Sequence, residues 1–144
     1  MLTYDPRTIS TCVYQGLSNL QQSAPESAQN EQKSQAIELY TYISTWGLLR
    51  LKAEEFAISQ NNKKDVVICF FNILGKIALN KPDYFLERQG LNNLTKRDDS
   101  ESLSASEYLG LTGLALQIAR EFAFWAEAVY PDAQATQSTD TATR

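Results

Sequence analysis

The chain has 144 residues, 43% of them hydrophobic and 21% charged, with a formal net charge of −4. That is the size of a single domain with enough apolar material for a core. The absence of histidine removes the commonest general base and nitrogen metal ligand, and no GxGxxG or GxxxxGK loop is present to cradle a phosphate.

In chain order, Asp5 and Pro6 open a first helix as N-cap and first helical residue, with Tyr4 and Ile9 spaced as a hydrophobic staple. Ile9, Val13, Leu17 and Leu20 form one face, with Cys12 and Gly16 beside them, and the helix is expected to fade near Gln22. Residues 23–30 are small and polar, a loop or a weak helical start at Pro25-Glu26. Ala36, Leu39, Tyr40, Ile43 and Trp46 then predict a second amphipathic helix that breaks at Gly47.

Leu48 through Ala57 predicts a third helix, stopped by Asn61-Asn62. Asp65 is a candidate cap for a fourth, whose apolar residues (Val66, Val67, Phe70, Phe71, Leu74, Ile77, Ala78) cover more than half its circumference. That breadth predicts a central helix. Pro82 opens a short fifth helix expected to close at Gly90, and residues 92–102 read as a polar loop.

The last helix has both ends written into the sequence. Ser104 and Glu107 have the spacing of a capping box, with Leu103 and Tyr108 as its staple. Tyr108, Leu111, Ala115, Ile118, Phe122, Trp125 and Val129 recur at steps of three and four, and Pro131 ends the run. The expected architecture is all-α, a compact bundle of five or six helices over 1–131, followed by a disordered tail at 132–144.

No apolar run in this order approaches the roughly 20 residues that span a bilayer. Met1 to Asp5 lack the pattern of a secretory signal. Cys12 and Cys69 lie in apolar surroundings without CxxC spacing and read as buried free thiols in a reducing cytoplasm. Glu54-Glu55 and Asp98-Asp99 are adjacent, so on a helix each pair diverges by about 100° and makes no acid/base site. The reading is non-enzymatic, with no cofactor and no metal.

The charge is unevenly spread. Residues 50–97 carry nine cations against five carboxylates, whereas residues 98–144 carry two cations against eight. A basic segment in an acidic protein can bind a polyanion locally, or it can be a solvated surface. Lys63-Lys64 is its sharpest feature. Phe124 falls outside the buried pattern of the last helix, on a face with Gly113, Gln117, Arg120 and Glu127. It is an exposed anchor for another subunit or the edge of a wide apolar arc. Among the other aromatics, Tyr40 and Tyr42 are the candidates for base stacking.

The run Ser104-Ala105-Ser106-Glu107-Tyr108-Leu109-Gly110-Leu111-Thr112, continuing into Phe122, Trp125 and Ala126-Glu127-Ala128, resembles the closing helix of the small helical subunit of type III-B CRISPR effectors, the Cmr small-subunit family. The Gly47-Leu48 junction and the helix through Phe56 are similar to a second element of that family. The resemblance covers roughly residues 36–130. It implies a non-catalytic helical bundle that stacks inside an RNA-guided complex in antiviral defence, contacting other subunits and holding the duplex of guide RNA and target RNA through phosphates. Arg50, Lys52, Lys63, Lys64 and Lys76 are the phosphate contacts it implies here. Where the family carries a basic pair in the last helix, this chain has Ala123 and Phe124. That face then suits protein contact, through Phe124, Arg120 and Gln117, and self-association is included among its partners. The alternative is a helical adaptor or homo-oligomeric scaffold without nucleic-acid binding.

Overall fold

A computed structural model of the chain describes residues 5, 7–98, 102–131 and 133. Among them are six α-helices and no strand: α1 (Arg7–Ser23), α2 (Gln29–Trp46), α3 (Leu48–Ala57), α4 (Asn61–Leu79), α5 (Glu87–Leu94) and α6 (Ala105–Val129). A single 3-10 turn, Glu26–Ala28, leads into α2 where the weak helical start was expected. No helix among the described residues is long and apolar enough to cross a membrane. The expected tail lies outside the described residues except for Ala133, as does Tyr4 of the first staple.

Asp5 caps α1 as its position predicts, its carboxylate accepting from the Arg7 amide at 2.9 Å. The buried stripe of α1 is Ile9, Val13 and Leu17. α4 is central, packing against α1, α2, α3 and α6. Its Phe70 stands edge-on to Phe71 at 5.3 Å and to Phe122 of α6 at 5.7 Å. Gly16 lets α1 close on α4, since a Cβ there would sit 2.7 Å from the Cys69 sulfur.

Two boundaries differ from expectation. α4 begins at Asn61, four residues ahead of Asp65, so Asn61-Asn62 start a helix rather than stop one. Ile58 packs against the core and pins the extended link before it, while Asn62 donates to Glu31 of α2 at 3.0 Å. The fifth helix begins at Glu87, not Pro82, and runs through Gly90 to Leu94. Residues 82–85 form a turn instead, which drives Phe85 into the core. Gly90 lies inside the helix because a side chain there would collide with the Phe85 backbone.

α6 has the predicted capping box: Ser104 Oγ accepts from the Glu107 amide at 3.1 Å, and Glu107 Oε1 accepts from the Ser104 amide at 2.9 Å. Its buried face is Leu111, Ala115, Ile118, Ala119, Phe122 and Ala126. After Val129 the chain folds over the start of α2. The Tyr130 hydroxyl donates to Gln32 at 2.7 Å, and Lys33 reaches the Ala133 carbonyl at 2.9 Å and Glu127 at 3.2 Å. That cover holds Gln32 and Lys33, the first half of the polar run Gln32–Gln35, which composition alone assigns to solvent and the fold buries.

Candidate nucleic-acid interface

Gly47 is a break. Its φ of +91° is open to glycine and costly for other residues. α2 ends there on the bond from the Gly47 amide to Ile43, and α3 begins on its carbonyl, which accepts from Leu51 at 3.2 Å. α6 supports the junction, its Tyr108 hydroxyl accepting from the Leu49 amide at 2.9 Å. The turn carries α3 away beside α2 and leaves Trp46 outside the bundle. Trp46 is 52% exposed, contrary to its expected place on the buried face.

A groove runs between α2 and the α3–α4 segment as two clefts of about 310 and 430 Å³ that share Tyr42, Glu54 and Ala57. Trp46 and Arg50 line one end, and Glu38, Gln60 and Lys63 the other. The Arg50 guanidinium lies over the Trp46 ring, 4.8 Å from its centroid. The Tyr42 hydroxyl makes long contacts with the Arg50 carbonyl at 3.5 Å and Glu54 Oε1 at 3.4 Å. Burial first, then the Glu54 charge, raises the Tyr42 phenol above its ordinary value, so it remains a neutral donor.

Lys63 and Lys64 sit in the first turn of α4. No side chain caps that end, and no acidic residue lies in its first turn. Cations there oppose the helix dipole, while the exposed amide end favours an anion. Arg50 and Lys63 border the same groove, whereas Lys64, the next residue of α4, points about 100° away around the helix. Lys76 does not join them. It lies in the last turn of α4, about 20 Å further along the axis at 1.5 Å per residue.

Lys52 is a correction. It has no solvent exposure and pairs with Glu55 at 2.7 Å between the Phe56 and Phe71 rings, at 5.5 and 5.0 Å. A lysine held this way cannot reach a phosphate. Sequence reasoning missed that Trp46 is exposed, and the φ demand of Gly47 was the available signal.

The other expected surface lies on α6. Phe124 is 64% exposed and stands edge-on to Trp125 at 5.1 Å. Gln117 is exposed beside it. Arg120 is exposed but folds back onto Tyr40, 5.0 Å over its ring and 3.1 Å from its hydroxyl. Tyr40 and Tyr42, two residues apart on α2, thus serve opposite sides of it. Among the described residues no cluster of three or more carboxylate or thiol groups could hold a metal ion.

No protein-family model matches the chain, and no curated protein or solved structure is significantly similar to it.

Proposed function

We propose that this chain is a non-catalytic small subunit of a type III-B CRISPR effector complex, packing along the guide–target RNA duplex in the cytoplasm and stabilising the assembly in antiviral defence. The observation that supports an RNA contact is the α2–α3 groove bordered by Arg50 at one end and Lys63, with Lys64 next to it, at the other. The assembly role rests on the similarity of the Tyr108–Thr112 and Trp125–Val129 segments to that family. Sequence is then read by base pairing, and the protein supplies shape and positive charge. The exposed Phe124, with Gln117 and Arg120, is the contact for a neighbouring subunit. A second reading, a helical adaptor without nucleic acid, is favoured by one feature. α6 turns both Leu109 and Phe124 outward, at 70% and 64% exposure.

Binding to RNA as a function of salt separates the two. Each phosphate contact contributes about 0.7 to 0.9 to the slope of log affinity against log salt. The double substitution K63A/K64A is expected to flatten that slope by about 1.5 and to weaken all RNA sequences equally. An isolated chain and an assembled complex that both ignore RNA reject the proposal and leave the adaptor.

A further inference from the structure

The same groove distinguishes between forms of RNA, and we infer that it takes an unpaired segment of that RNA, outside the guide–target duplex, with one base laid on Trp46; this rests on the RNA-contacting reading above. The core is complete without Trp46. The ring projects half-exposed from the end of α2, with Arg50 over it. A large aromatic left in water beside a cation is the pairing used to stack an unpaired base and hold its phosphate. A duplex cannot use it, because its base faces are covered by one another and only edges and backbone are presented.

The lining argues the same way. Cations stand at the two ends, Arg50 and Lys63, while Glu54 lines the stretch between them with Tyr42 and Glu38 stands at the Lys63 end. Carboxylates there repel a continuous phosphate path. They accept hydrogen bonds from the amino groups of a base whose phosphates lie at the ends, as a carboxylate accepts from cytosine N4. Uracil offers a carboxylate a single N3–H where cytosine, adenine and guanine each offer an amino group, so the groove favours those three over uracil. Tyr42, kept neutral, adds a hydroxyl that donates or accepts.

The chain has only two tryptophans, so W125F leaves Trp46 as the sole indole reporter. Oligocytidylate, oligoadenylate, oligouridylate and an RNA duplex of equal length are titrated against it at one salt concentration. The expected result is quenching of Trp46 by oligocytidylate and oligoadenylate. By anisotropy of end-labelled RNA, which needs no indole, W46A is expected to weaken their binding on the order of tenfold, W46F to restore most of it, and oligouridylate to bind more weakly. Duplex bound as tightly as single strand, with W46A without effect, overturns this inference while leaving the RNA-contacting function intact. Oligouridylate binding equal to oligocytidylate overturns the role of Glu38 and Glu54. Failure of every RNA form to bind removes both this inference and the function it rests on.

Discussion

The Lys52 ammonium meets its charge entirely inside the fold, at the Glu55 carboxylate 2.7 Å away. The two occupy a face of α3 with Leu48 and Leu51, at steps of three, one and three. That is the core stripe of a short helix with its second half made polar. Removing one partner leaves the other buried and unpaired, which costs about 3–5 kcal/mol, whereas replacing both with apolar groups of similar size is often neutral. Urea unfolding is therefore expected to show E55A strongly destabilised, and K52M/E55L much closer to the parent protein. The stripe could have revealed Lys52 as buried from sequence. Its charge pointed to the surface because a lysine is almost never fully buried unless paired, and the partner three residues on is visible only once the helix face is known.

At the level of the element, what was legible depended on how local the signal is. Both ends of α6 could be read because a capping box is made within four residues, and its face because 25 residues sample the period many times. α5 could not, since Gly90 looks like a stop until the Phe85 backbone is seen against it. The start of α4 depended on the Asn62–Glu31 bond to another helix, which no local rule contains. The groove was legible in its cations and invisible in its platform, for Trp46 fits an apolar period that Gly47 cuts short. α6 also carries Gly110 and Gly113 in its interior, where an added Cβ would meet nothing within 4 Å. Such glycines cost about 1 kcal/mol each relative to alanine. G110A and G113A are expected to raise the melting temperature by a few degrees each, while S104A, which deletes the cap, lowers stability by about 1 kcal/mol.

For the molecule as a whole, the groups buried at helix contacts set how stability depends on pH at the alkaline end. Cys69 of α4 faces Gly16 of α1 and is partly rather than fully buried, and its desolvation there pushes the thiol from 9.0 up to about 12. Burial also raises the Tyr130 phenol above its ordinary value, with the Cys69 charge adding to it. An acid whose pKa is raised by folding keeps its proton in the native state after the unfolded chain has released it. The unfolded state then binds fewer protons, so stability falls as pH rises. The thiol's contribution is full below about pH 9 and is lost progressively toward about pH 12, at up to about 1.4 kcal/mol per pH unit. Tyr130 contributes mainly above its ordinary value of 10.0, so the interval between 9 and 10 reports chiefly on the thiol. Urea midpoints measured across that interval are expected to decline more steeply in the parent protein than in C69A, whatever C69A does to stability at neutral pH. A parent midpoint that holds constant to pH 10, or a C69A midpoint that declines in parallel with it, would show that α1 and α4 do not seal Cys69 from water.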